Sequence, residues 1–278
     1  MKALYNGKVI DEKDATIPIS DKGYFFDFAV YSSLKVIQGK IFFPEYHVDR
    51  LFDSATQLNL LHPFIKPQVL DWLQKVISEN GLTDGLLRVI LIGDADKNDT
   101  RENDAKLFIF PVTGITFYPD KLYTNGAKAI TYKAERRLPT VKSKDLLLSF
   151  MAMREAKKAN AIEALLTDKD GNIREGTRSN FYAIRASTLV LPPTEKVLEG
   201  IVMKIVLQLA YGHFNVVHED IPFAKIKEYD EFFLTSTLFN IMPLSQIDEY
   251  EIKSEFTVTK ELMKLYKDYY HKEILQKK

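Results

Sequence analysis

Glu163-Ala164-Leu165-Leu166-Thr167-Asp168 and Arg174-Glu175-Gly176-Thr177-Arg178-Ser179-Asn180-Phe181 stand on either side of Asp170-Gly171. An apolar run over 162–167, a turn dipeptide and a second run over 180–184 read as strands of one hairpin unit. Upstream, Lys142-Ser143 opens a segment with Leu146, Phe150 and Met153 at helical spacing, expected to face inward. A helix feeding hairpin-linked strands, with a lysine at one end and a glutamate at the other, argues for an α+β fold over alternating parallel βαβ units.

The same alternation of hairpins and helices continues outward. Toward the N-terminus, Asn6-Gly7 separates Ala3-Leu4-Tyr5 from Lys8-Val9-Ile10, the dipeptide best able to supply two positive-φ turn residues. Gln38-Gly39 sits in a second expected hairpin over 30–43. Two helices follow, one from Glu45 to Leu60 with Leu51, Ala55 and Leu58 in register. The other starts after Pro67 and carries Val69, Leu73 and Val76. Segments 86–92 and 106–112 read as paired strands around the polar stretch Asp94–Asp104, expected to be a surface loop. Beyond a strand over 127–133, a helix follows Gly200, a strand covers 231–236, and a C-terminal helix carries Leu262, Tyr266 and Tyr269.

At 278 residues the chain exceeds the roughly 250 at which one core tends to split, so two domains are expected. Gly114–Asp120 is the linker candidate, dividing 1–115 from a larger 116–278 that holds Lys142. Hydrophobic residues at 46% supply a core. Lys plus Arg and Asp plus Glu are both 38, leaving no net charge to attract a nucleic acid. With no cysteine, thiolate catalysis and zinc-thiolate sites are excluded, and no metal is expected. No apolar run suits a signal peptide or a membrane span, so the expected location is cytoplasmic.

The candidate chemistry rests on a set of residues. A Schiff-base amine must lose its proton, which favours a lysine near a cationic or apolar surface; Lys142 meets this, with Lys144 a rival. Glu175, before the flexible Gly176, could keep the ring nitrogen of pyridoxal phosphate protonated. A phosphate calls for a guanidinium and a helix N-terminus, and Arg50 and Glu199-Gly200-Ile201-Val202 could provide them. Thr237 adds a hydroxyl at a strand end. Singly, each is an ordinary surface lysine, hairpin glutamate, helix arginine or turn glycine.

Taken in order, Asp21–Tyr24 with Val30-Tyr31, the segment 47–55, Lys142-Ser143, 163–181, 198–202 and 229–244 resemble the class IV aminotransferases. These are the fold-type IV pyridoxal phosphate enzymes, which include D-amino acid aminotransferase, branched-chain aminotransferase and aminodeoxychorismate lyase. The resemblance covers nearly the whole chain. It implies a small N-terminal α/β domain, a larger β-rich C-terminal domain with helices, and a homodimer. It also implies pyridoxal 5′-phosphate as cofactor and an amino acid and a 2-keto acid as substrates. By position, Lys142 matches the lysine that binds the cofactor and Glu175 the partner of its ring nitrogen. Arg50, the amides of Ile201 and Val202, and the Thr237 hydroxyl match the phosphate cradle, and Tyr31 a substrate-side tyrosine. The C-terminal block, Ile221-Pro222-Phe223 and 230–237, reads most like D-amino acid aminotransferase.

Departures accompany the resemblance. The run Asp27-Phe28-Ala29-Val30-Tyr31-Ser32 replaces a Gly-Asp-Gly-like run before Val-Tyr-Glu, and Val202 stands where a threonine is usual. A lost charge-assisted bond there costs about 1.5–3 kcal/mol. Leu147 takes the place of a branched-chain-enzyme tyrosine. The carboxylate-trapping arginine position, near Ile92, is apolar, with Arg88 the nearest substitute. Amino transfer through Lys142 is the expected function. The alternatives are pyruvate elimination of the aminodeoxychorismate lyase type and a non-catalytic member with a degenerate pocket.

Overall fold

Asn6 and Gly7 both take positive φ, 45° and 85°, as a two-residue hairpin turn demands. They fold β1 (Lys2–Tyr5) onto β2 (Lys8–Asp11). The computed structural model describes residues 1–94, 105–112 and 117–275. Apart from Asp94, the expected 94–104 loop lies outside these, as do residues 114–116 of the expected linker.

One compact unit comprises Met1–Thr116 with Val141–Asp145, the other Phe117–Thr140 with Leu146–Lys278. The lysine segment therefore groups with the first unit, not with the larger one to which contiguity along the chain assigns it.

The first unit continues with α1 (Lys22–Phe25), β3 (Ala29–Ile37), β4 (Lys40–Ile41), α2 (Pro44–Gln57), α3 (Lys66–Asn80), β5 (Gly85–Ile92) and β6 (Lys106–Val112). Its six-stranded sheet runs β2-β1-β6-β5-β3-β4. Val30, Leu34 and Val36 on β3, with Leu87, Val89 and Leu91 on β5, pack with Val48, Leu51 and Ala55 of α2 and Val69, Leu73 and Val76 of α3. Burying each such side chain contributes about 1.5–3 kcal/mol. Alternation along the strands sends Tyr31, Ser33, Lys35 and Arg88 to the opposite face. Helix α2 stops at Gln57, short of the expected Leu60, because Asn59 turns the chain with φ 53°.

The second unit contains α4 (Asp120–Asn125), β7 (Ala127–Lys133), α5 (Leu147–Lys158), β8 (Glu163–Thr167), β9 (Asn172–Gly176), β10 (Asn180–Arg185) and β11 (Thr188–Leu191). It goes on through α6 (Ile201–Ala210), β12 (Asn215–His218), β13 (Ile221–Pro222), β14 (Glu231–Ser236), β15 (Asn240–Ile247), β16 (Tyr250–Glu251) and α7 (Thr257–Tyr270). Strands β10, β14, β15, β7, β8 and β9 pair in that order, and Asn180 pairs with Glu175 to join β9 back to β10. The circuit is a closed barrel whose seam lies at the quoted hairpin. Strand β15 is absent from the sequence reading, and its Pro243 is unusual in a central strand. The structure accommodates it: the β7 ladder begins at Leu244, just past the proline, and a register shift follows before Gln246.

Helix α5 reverses an expectation. Ala152 and Ala156 are its buried residues, packed with Ala164 and Leu166 of β8, whereas Phe150 is 63% and Leu147 68% exposed. Alanine lets the helix approach the sheet closely, so the bulky residues take the outer face; Met153 is only half-buried.

Candidate active site

In the first unit the Lys142 segment is stitched to the start of β3. The Tyr31 N–H donates to the Lys142 carbonyl at 3.0 Å, the Lys144 N–H to the Ala29 carbonyl at 2.9 Å, and Ser143 bridges Val30. From α2, the Ser54 hydroxyl accepts the Lys142 N–H at 3.1 Å. These bonds hold the half-buried Lys142 with its Nζ over the Tyr31 ring, 4.9 Å from the centroid. Lys144, the rival, pairs instead with Asp27 and lies over Tyr24.

Arg50 and His47 lie one turn apart on α2, so their side chains leave the same face. Arg50 Nη2 donates to Ser32 Oγ at 3.2 Å, and Ser32 Oγ lies 2.8 Å from His47 Nδ1. Burial, then the charges of Arg50 and Lys142, holds the His47 imidazole well below the usual histidine range. Arg88 faces Tyr31, its guanidinium 5.9 Å from the ring and its Nε donating to Ser33 Oγ at 3.4 Å. That places it on the face shared with Lys35, whose ammonium burial pulls down to about 8.

In the second unit Glu175 is 5% exposed. Its Oε1 receives Arg136 Nη1 at 3.1 Å and its Oε2 receives the Leu198 N–H at 3.2 Å. Asn180 Nδ2 donates to the Leu198 carbonyl at 2.7 Å, bolting the barrel seam to the turn that opens α6. A Cβ on Gly200 would overlap Asn180 Oδ1, so only glycine permits this approach. As the N-cap of α6, Gly200 brings no capping side chain, and the amides of Ile201 and Val202 lie in the first turn. Val202 buries its side chain in the core. Asn180 also pairs with Thr235, which puts Thr237, just past β14, at the same barrel end as Glu175.

Beneath the hairpin, Glu163 is wholly buried. It accepts from the Thr177 N–H at 3.1 Å, Thr177 Oγ1 at 2.5 Å and Ser179 Oγ at 2.9 Å. A side chain at Gly176 would collide with Ser179 and Glu163. Glu175, Arg136, Leu166 and Lys196 help line a cavity of about 250 Å³. Each unit thus gathers its own share of the expected residues: Tyr31, Arg50, Arg88 and Lys142 in one, Glu175, Ile201, Val202 and Thr237 in the other. Arg136 went unread in the sequence, while His47, Ser32 and Glu163 stand inside quoted motifs without a role assigned to them there. Asn180 and Leu198 stand inside quoted motifs as well.

Residues 29–247 match the model of the amino-transferase class IV family. The chain belongs to the class IV aminotransferases. A putative branched-chain-amino-acid aminotransferase of Methanocaldococcus jannaschii is 31% identical to it over 281 residues, 96% of each chain. A D-alanine aminotransferase of Listeria monocytogenes is 29% identical over 264 residues, covering 91% of this chain and 89% of the relative. Among solved structures, the branched-chain aminotransferase of Thermoproteus uzoniensis with norvaline superposes with a TM-score of 0.84 at 22% identity, covering 99% and 98% of the two chains. This class IV aminotransferase is accordingly a two-domain, fold-type IV, pyridoxal phosphate-dependent enzyme of amino-group transfer. Both relatives are named for amino transfer, not for the lyase reaction kept open above.

Proposed function

We propose that Lys142 links the cofactor covalently and carries the proton as an amino group passes between an amino acid and a 2-keto acid. The donor set suits pyridoxal 5′-phosphate. It offers an amine for the aldehyde, a buried carboxylate with ordered donors for the ring nitrogen, and a guanidinium, two uncapped helix amides and a hydroxyl for the phosphate. When bound, the cofactor supplies an electron sink for charge developing at the substrate Cα. Lys142 Nζ removes the Cα proton and redelivers it, a task for one base held in place by the hydrogen bonds to β3 and Ser54. Tyr31 limits the swing of that amine. Glu175, oriented by Arg136 and the Leu198 amide, keeps a proton at the ring nitrogen. Arg50, the Ile201 and Val202 amides and Thr237 bind the phosphate, with no hydroxyl from Val202. Arg88, with Tyr31, receives a substrate carboxylate.

The observation that carries this reading is the bonding of the Lys142 backbone to β3 and Ser54, with its Nζ over Tyr31. Borohydride treatment of the holoenzyme followed by peptide mass spectrometry should find the cofactor on Lys142, and Lys142→Ala should slow transfer by at least ~10²-fold. An adduct on Lys144, or undiminished transfer in the variant, sinks the assignment. A homodimer is part of the same reading. It is supported by Leu147, Phe150 and Met151, which expose apolar surface on one face of α5.

A further inference from the structure

We propose that Ser32 and His47 form a positioning relay that orients the Arg50 guanidinium toward a phosphate group. The proposal rests on the phosphate-binding reading of Arg50 given above. Ser32 lies on the helix-facing side of β3 beside Val30, Leu34 and Val36, and both Ser32 and His47 are buried. Neither has a part in amino transfer as derived so far.

Donor counting fixes the Arg50 end of the relay, and the His47 tautomer sets the other. A guanidinium only donates, so the 3.2 Å contact from Arg50 Nη2 places its proton on Ser32 Oγ. A hydroxyl carries one proton and two acceptor sites, and in the relay that proton goes to His47 Nδ1, 2.8 Å away. This requires Nδ1 to be bare, hence a neutral imidazole carrying its proton on Nε2. The surroundings enforce neutrality: a charged imidazole would be buried beside the Arg50 and Lys142 cations. The chain Arg50–Ser32–His47 therefore runs one way. It restrains a long, rotamer-rich side chain without placing a carboxylate next to the anion that Arg50 is to receive. An acidic residue at position 32 could orient Arg50 equally well, but its negative charge would compete with a phosphate for the same guanidinium.

Affinities of the full-length chain for pyridoxal 5′-phosphate and for pyridoxal, measured by absorbance titration, test this, because only the former carries the phosphate. Ser32→Ala and His47→Leu should each lower the preference for the phosphorylated form about tenfold while leaving pyridoxal affinity unchanged. His47→Asn, which retains an acceptor atom near the Nδ1 position, should keep most of it. Nitrogen-15 NMR should find His47 neutral with its proton on Nε2. Should Ser32→Ala fail to fold, Ser32→Cys retains the volume with a poorer hydrogen bond and should show the same loss. If Arg50→Ala lowers the preference while Ser32→Ala and His47→Leu do not, the relay is wrong and the Arg50 reading stands. Equal losses for both ligands would mark a merely structural role and overturn the relay, as would a proton on Nδ1. If Arg50→Ala itself keeps the wild-type preference, the phosphate reading of Arg50 falls and the relay with it.

Discussion

Glu163 illustrates how much of this site depends on a side chain that touches no reacting atom. It anchors the turn between Glu175 and Asn180 by accepting from Thr177 and Ser179. A buried carboxylate is costly unless its oxygens are saturated with donors, and here the hairpin supplies them. Glu163→Leu would leave those donors buried without an acceptor and is expected to destabilise the chain by about 3 kcal/mol. Glu163→Gln, which keeps an oxygen for Thr177, should cost about 1 kcal/mol. Urea unfolding distinguishes the two, and equal stabilities would show that the hairpin is held by other contacts. Glu163 also shows a limit of motif reading, since nothing in Ile162-Glu163-Ala164 distinguishes a structural acid from a solvated one.

At the scale of elements, alternation on β3 separates two tasks. One face gives Val30, Leu34 and Val36 to the core, while the other presents Tyr31, Ser33 and Lys35 alongside Arg88. Lys35 is the costly member, 7% exposed, with its ammonium drawn from 10.5 to about 8 by burial. Between those two pH values the unfolded chain binds more protons than the folded one, so this group's contribution to stability rises with pH through the window. Below pH 8 it is a charged and buried liability. Lys35→Met is expected to be more stable than the parent by about 2 kcal/mol at pH 7, with the gap shrinking toward pH 10. Denaturation curves at the two pH values provide the measurement, and a pH-independent gap would mean that Lys35 is not titrating in the folded chain. The direction of Arg88, undecided by a bare strand reading, follows from the same alternation once the β3–β5 register is known.

For the whole molecule, the outer face of α5 is where the proposed homodimer meets a test. Leu147, Phe150 and Met151 recur at i, i+3 and i+4, a stripe of large apolar residues that a solitary chain would leave in water. If a second copy covers it, Phe150→Asp should shift the species seen by sedimentation velocity from dimer to monomer and leave the helical signal in circular dichroism intact. A parent chain that sediments as a monomer, or a variant that remains dimeric, would remove α5 from the interface. The sequence reading turned Phe150 inward, with Leu146 and Met153, because periodicity identifies an apolar face without identifying what covers it.

The local code carried a good part of the molecule. Asn6-Gly7 specified its hairpin because both positions need positive φ, helical spacing located α2 and α3, and the order of the motifs singled out Lys142 and Glu175 as candidates. These rest on interactions within a few residues along the chain, where residue type and spacing act directly. Closure of the fold decided the rest. Arg136 reaches Glu175 across 39 positions, His47 meets Ser32 from a different element, and Val141–Asp145 groups with the unit that precedes it rather than with its neighbours in the chain. Such pairings follow from strand register and helix docking, which sum many weak contacts over the whole chain, so no single stretch announces them.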